Sequence, residues 1–148
     1  MGQMQKYLSL VSPRIGVITR LTIEHVDSDH FKSLEEAISE ESILVRSLPD
    51  WGWAVLNGDD ENIKKLSKEL KSNTLLYGFS DDNDLVISDW NQNLEGNTIQ
   101  SVFTVKYMEK EQVFSVPLLG KHNVLNACAA VAVGILLGMC EEDIQRGM

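Results

Sequence analysis

The chain has 148 residues, 43% of them hydrophobic, and sets 22 acidic against 13 basic side chains for a formal net charge of −9. That length suits about one domain with a real core. The acidic balance argues against a nucleic-acid partner, because displacing counterions from a phosphate backbone requires clustered Lys and Arg.

Cys128 and Cys140 are too few for a disulfide scaffold and show no C-x-x-C zinc spacing, so free thiols in a reducing cytoplasm are expected. Residues 1–10 lack the charged-then-apolar pattern of a signal peptide. The longest apolar run, 127–140, is shorter than the ~18 residues of a membrane span.

In chain order, Ile15-Gly16-Val17-Ile18-Thr19 is a β-branched apolar run after Pro13 and predicts a buried strand. A charged loop, 24–32, follows with His25 and His30 in it. Ser33-Leu34-Glu35-Glu36 reads as a capping box. The helix it opens places Leu34, Ala37, Ile38, Leu44, Val45 and Leu48 on one face, with Glu41 inside the stripe. An unpaired buried carboxylate is costly, so Glu41 is expected at the stripe's edge or beside a partner.

Pro49-Asp50-Trp51-Gly52 is a turn, and Trp53-Ala54-Val55-Leu56 a second buried strand. Asp59 or Asp60 caps the next helix, in which Ile63, Leu66 and Leu70 share a face. Thr74-Leu75-Leu76-Tyr77 makes a third strand before Gly78. Strand–helix–strand–helix–strand predicts a parallel sheet covered by helices.

After Gly78 the pattern changes. Residues 85–90, 98–107 and 112–118 alternate apolar and polar, with turns at Glu95-Gly96-Asn97 and around Glu109-Lys110, which predicts antiparallel hairpins. Residues 123–138 are apolar nearly all round and predict a deeply buried helix, and 141–146 begin another. The fold class is α/β: one unit, a parallel sheet flanked by helices with an antiparallel β extension.

Leu119-Gly120-Lys121-His122-Asn123-Val124-Leu125-Asn126 opens the apolar helix. A helix N-terminus offers free N–H groups and partial positive charge to anions. Asn123 and Asn126 are neighbours on one face, and amides both donate and accept, as the edge of an adenine requires. Plain N-capping accounts for them equally well. Asn57-Gly58-Asp59-Asp60 follows a strand end, where open α/β sheets contact ligands, and a turn with a helix cap explains it too. His25 with Glu24 and Asp27 is either a hard-cation site or a solvated loop. The sequence holds no G-x-x-x-x-G-K-[ST], no nucleophile elbow and no G-x-G-x-x-G.

Three ordered segments resemble one family, the Mur ligases. Ile18-Thr19-Arg20-Leu21-Thr22-Ile23-Glu24-His25 is similar to their "ITN…H" segment. Ala54-Val55-Leu56-Asn57-Gly58-Asp59-Asp60 resembles their "AVLNADD" strand end. The third, from Leu118 through Gly120-Lys121-His122-Asn123-Val124-Leu125-Asn126 to Ala130, resembles "G-x-H-N-x-x-N-A-x-A-A". Within the family the likeness is to ligases that add D-alanyl-D-alanine to a UDP-N-acetylmuramoyl tripeptide in peptidoglycan synthesis.

The resemblance implies a cytoplasmic enzyme in which ATP converts a carboxylate to an acyl phosphate. An amine then displaces phosphate, with Mg2+ neutralising the charge on the transferring group. It implies that Asn123 and Asn126 hold adenine, that His122 lies beside the nucleotide, that Asn57 lines the pocket more distantly, and that His25 ligates a magnesium ion. Arg20 departs from the family's Asn. Glu41, counted back from Leu48-Pro49, stands where the family carbamylates a lysine, so it is expected to supply a catalytic, metal-binding carboxylate in place of the carbamate. An opposing reading takes Glu41 and Arg20 as marks of lost activity.

Residues 1–148 then read as a single partial central domain. The phosphate-binding loop and the N-terminal and C-terminal domains would belong to the rest of the parent ligase, whose partners would be ATP and a UDP-linked muramoyl peptide. Two alternatives stay open: a free-standing, non-catalytic module of this fold, and a ligase like folylpolyglutamate synthetase.

Overall fold

The computed structural model describes residues 3–21, 34–95 and 98–148. Among these, β1 (Ile15–Ile18), β2 (Trp53–Asn57), β3 (Asn73–Gly78), β4 (Leu85–Glu95), β5 (Thr98–Tyr107) and β6 (Lys110–Val116) form one sheet in chain order. β1 to β4 run parallel, and β4, β5 and β6 are antiparallel. The helices are α1 (Gln3–Leu8), α2 (Leu34–Arg46), α3 (Glu61–Ser67), α4 (Lys121–Leu136) and α5 (Glu141–Arg146). This is the expected architecture, a helix-covered parallel half continued by an antiparallel half.

The period of two along the strands divides the core between the two faces of the sheet. Ala54 and Leu56 point to one side, where Ile18, Val45, Leu48, Ile63 and Leu66 of β1, α2 and α3 close over them. Val55 points to the other, into a larger core built with Tyr77, Leu85, Phe103, Phe114 and the buried face of α4. Val124, Cys128 and Val131 on α4 are wholly buried there. Each fully buried Val or Leu contributes about 1.5–3 kcal/mol, so the continuous apolar run of α4 is the main anchor of that layer.

Two glycines permit close approach. A Cβ on Gly16 of β1 would lie 3.3 Å from Val45 of α2 and from Leu48 just after it, and one on Gly134 of α4 would lie 2.7 Å from Cγ1 of Ile144 in α5.

Several local expectations are refined. Asp60, not Asp59, caps α3, accepting from the N–H groups of Asn62 and Ile63. The buried face of α2 centres on Ser42 and Val45, continued by Leu48 just beyond the helix, so Glu41 lies at its margin, half-buried and engaged in an interaction of its own. α4 starts at Lys121 rather than at Asn123. β4 runs to Glu95 rather than stopping near Trp90, because a bulge between Ser88 and Asn91 lets the strand continue, with Asp89 at φ 49°. α1, a short and largely exposed helix, was not foreseen. The Ser33 cap, the 24–32 loop with His25, and Gly96-Asn97 of the hairpin turn lie outside the described residues. Among the described residues no helix is long and apolar enough to cross a membrane.

Candidate functional site

The parallel strands β1, β2 and β3 end together, and the described residues that follow them form one rim with the start of α4. Ligands of open α/β sheets gather at this end. An open cleft of ≈ 620 Å³ lies there, lined by Arg20, Asn57, Asp59, Asp60, Glu61, Lys121, His122 and Leu125. Cations and carboxylates thus face each other across a floor that includes a buried amide.

Asn57 closes β2 and is almost fully buried. Its Nδ2 donates to the Thr19 carbonyl at 2.9 Å, and its Oδ1 accepts from the Asp59 N–H at 3.0 Å. It ties the exit of β1 to the turn between β2 and α3, and it lines the cleft.

Asp59 then reaches across to the turn after β3. Its carboxylate accepts from the N–H groups of Phe79 and Ser80 and from Nδ2 of Asn83, at distances of 2.9–3.1 Å. Burial alone would raise this carboxyl's pKa. The Phe79 and Ser80 N–H groups, with the Ser80 and Asn83 side chains, outweigh burial and hold it below the usual aspartate value.

α4 opens at Gly120, whose φ of 102° favours glycine. A Cβ there would also come within 2.8 Å of the His122 ring. No side chain caps this helix. The Lys121 ammonium lies 4.4 Å from the centroid of the Phe79 ring, which makes a T-shaped contact with Trp90 at 6.1 Å.

The expected site residues therefore divide. Asn57 and His122 meet in the cleft. Asn123 and Asn126 lie on the first turns of α4, outside the cleft's lining but on the same helix end. Asn123 is half-buried and donates from Nδ2 to the Leu119 carbonyl at 2.8 Å, leaving its Oδ1 to accept, while Asn126 is exposed. Glu41 sits on α2, also outside the lining. His25 is outside the described residues. Among the described residues no group of three or more His, Cys, Asp and Glu side chains is disposed to hold a metal ion.

Sequence reasoning missed the Asp59–Phe79–Lys121 linkage. The Asp-Asp pair after a strand signalled a cap, but nothing in the sequence marked Phe79.

Residues 1–134 match the family model described as the Mur ligase middle domain. Among proteins of similar sequence, the UDP-N-acetylmuramate–L-alanine ligase of Bdellovibrio bacteriovorus is 30% identical over 140 residues, covering 92% of this chain and 30% of that protein. The same ligase of Clostridium botulinum is 32% identical over 139 residues, covering 92% and 29%. Among solved structures, MurF from Acinetobacter baumannii superposes with a TM-score of 0.82 at 22% identity, covering 99% of this chain and 31% of that one. MurF from Thermotoga maritima, solved in complex with ADP, gives 0.78 at 19% identity, covering 94% and 31%. The chain spans about 30% of the length of the proteins it matches. With this match over residues 1–134, the chain belongs to the Mur ligase middle domain family.

Proposed function

We propose that this chain is the nucleotide-binding part of an ATP-dependent amide ligase acting on UDP-linked muramoyl precursors of peptidoglycan. The observation that carries the reading is the rim where the β1 and β2 ends, with Asn57, meet the start of α4, with His122, in a chain of this family. ATP, when bound, supplies the phosphoryl group that activates a carboxylate toward an amine.

The chain's own residues bind and orient. The exposed amide of Asn126 and the remaining acceptor of Asn123 suit the donor–acceptor edge of adenine. His122 lines the cleft beside them on α4, and Asn57 keeps the floor rigid through its bonds to Thr19 and Asp59. Glu41 is assigned, with His25, to a magnesium ion as a carboxylate in place of the family's carbamylated lysine.

Titrating the 148-residue chain with ADP, by calorimetry with and without Mg2+, tests the reading. Saturable binding is expected. Asn126→Ala should weaken it about tenfold, the equivalent of ~1.4 kcal/mol, while leaving the urea midpoint unchanged. Absence of saturable binding would remove the nucleotide role. Glu41→Ala should abolish any gain in ADP affinity from Mg2+, and an unchanged Mg2+ dependence would end the stand-in assignment.

For the amine we assign D-alanyl-D-alanine, on the resemblance of the three motifs. L-alanine is the second reading, favoured by the 30% and 32% identities to L-alanine-adding ligases. Phosphate release by the native protein, offered each amine with its matching muramoyl acceptor, separates the two.

A further inference from the structure

We propose that Asp59 is a positioning residue of this site: it fixes the turn after β3 so that Phe79 holds the Lys121 ammonium at the cleft, where Lys121 meets the phosphates of the bound nucleotide. The inference rests on the nucleotide reading above and goes beyond it, naming a cation and the apparatus that aims it.

Besides Asp59, the turn concerned is held by the Asn83 N–H donating to the Ser80 carbonyl at 3.1 Å and by the Lys64–Asp82 ion pair. β3 and β4 pair at only two positions, Tyr77 with Leu85 and Gly78 with Val86, so the ladder gives residues 79–84 almost no support. Asp84 secures the far end by accepting from the Leu76 N–H at 2.8 Å. The near end is secured by Asp59, through the N–H groups of both Phe79 and Ser80 and through Asn83.

Two glycines make this closeness feasible. A Cβ on Gly78 would lie 2.4 Å from Oδ1 of Asp59, and a Cβ on Gly58 would lie 1.9 Å from Oδ1 of Asn83. Side chains at either position would push the turn away from β2.

The fixed turn sets the Phe79 ring in a T-shaped contact with Trp90 and beneath the Lys121 ammonium. Lysine has a long, freely rotating stem, and an exposed one ordinarily spreads over many rotamers. The negative face of an aromatic ring restricts it. Lys121 and Asp59 both line the cleft, but they contribute differently to its charge. The Asp59 and Asp60 carboxylates are directed at backbone N–H groups, whereas Lys121 is exposed. A protein of formal charge −9 repels a polyanion at long range, so phosphate binding depends on local cations of this kind.

A double-mutant cycle tests the proposal. ADP affinity is measured for the wild-type chain, Asp59→Asn, Lys121→Met and the double variant. Each single change should weaken ADP binding about three- to fivefold, the range of a surface cation–π contact, and the double variant should be no weaker than Lys121→Met alone. Phe79→Leu, which leaves the Asp59 bonds to backbone in place, should reproduce the loss, and Phe79→Tyr should restore affinity.

A structural readout accompanies these. The Lys121 ε-methylene protons should resonate upfield in the wild type, from the ring current of Phe79, and move to ordinary values in Asp59→Asn. Additive losses in the cycle, or an ε-methylene shift indifferent to Asp59→Asn, would overturn the inference while leaving the nucleotide reading standing. A wild-type chain that binds no ADP would remove the nucleotide reading, and the inference with it.

Discussion

At the scale of the residue, Asp59 and Tyr77 make opposite statements about pH. The folded-state pKa of Asp59 is depressed, because backbone and side-chain donors more than offset its burial. A depressed carboxyl contributes stability that is present above its unfolded value, near 3.9, and is lost as pH falls through the lower folded value. Urea midpoints of wild type and Asp59→Asn should therefore differ at pH 7 and converge toward pH 2. A constant gap would show that the carboxylate charge is not what holds the turn. Tyr77 is wholly buried with no partner for its hydroxyl, and burial first, then the charges of Cys128 and Asp59, raises its pKa well above 10. Such a group contributes stability below the unfolded value, near 10, that is lost as pH rises toward the folded one. Tyr77→Phe removes an unsatisfied hydroxyl, so it should leave stability unchanged or raise it by up to about 1 kcal/mol at pH 7. Its decline between pH 9 and 11 should be shallower than that of the wild type. The family resemblance implied one pocket for Asn57 and His122, and both line the cleft, at element ends that the α/β order brings to one rim. It could not choose between Asp59 and Asp60 as the cap. That choice depends on where the turn after β3 falls, a contact across 20 residues of chain. Nor could it foresee Ser42 in place of Glu41 at the centre of the buried face of α2, since a rotation of one residue leaves the apolar spacing almost intact.

At the scale of the element, the two β turns of the antiparallel half differ in how much of them the sequence announces. Strand existence was legible in the alternation of Phe103, Val105 and Tyr107, all now on one face of β5, with the first two in the core. Strand ends were less so. β6 begins at Lys110, paired with Tyr107, which leaves Met108-Glu109 as a two-residue loop with Met108 at φ 54°. Methionine is a poor residue for left-handed backbone, and no composition rule predicts a tight turn at it. The same holds for the bulge in β4. There Asp89 takes positive φ, which aspartate tolerates better than most residues, and two residues oppose Phe103 where a regular ladder would have one. The left-handed conformation costs a non-glycine residue roughly 1–2 kcal/mol. Met108 is also 82% exposed and buries little. Met108→Gly should therefore raise stability by about 0.5–1 kcal/mol, the relief of the turn less the added freedom of glycine in the unfolded chain. Denaturant midpoints at constant m-value would measure it. A loss of stability would mean that the exposed methionine packs usefully against its neighbours.

At the scale of the whole molecule, the sign of one response depends on which of two electrostatic effects is larger. The formal charge of −9 makes the compact state repel itself, and added salt relieves that repulsion. Against it stand surface ion pairs that salt weakens. These include Arg46–Glu69 between α2 and the segment after α3, Lys64–Asp82 between α3 and the turn after β3, Lys106–Glu111 across β5 and β6, and Arg146–Asp143 within α5. All four involve a partner at least 44% exposed, and such pairs contribute only about 0.2–1 kcal/mol each, often nothing measurable. Two of them are local in sequence, so the unfolded chain keeps part of their attraction. The excess of nine negative charges is global and is spread by unfolding, so its relief should prevail. Raising NaCl from 10 to 300 mM, which shortens the screening length from about 30 Å to less than 8 Å, should move the urea midpoint upward. Repeating the titration with Arg46→Met separates the contributions, because Arg46 carries the pair that joins α2 to the turn after α3. If its removal leaves the salt response unchanged, net charge governs the response. If the wild-type midpoint falls with salt and Arg46→Met abolishes the fall, the Arg46–Glu69 pair ties α2 to the segment after α3 more strongly than its exposure implies.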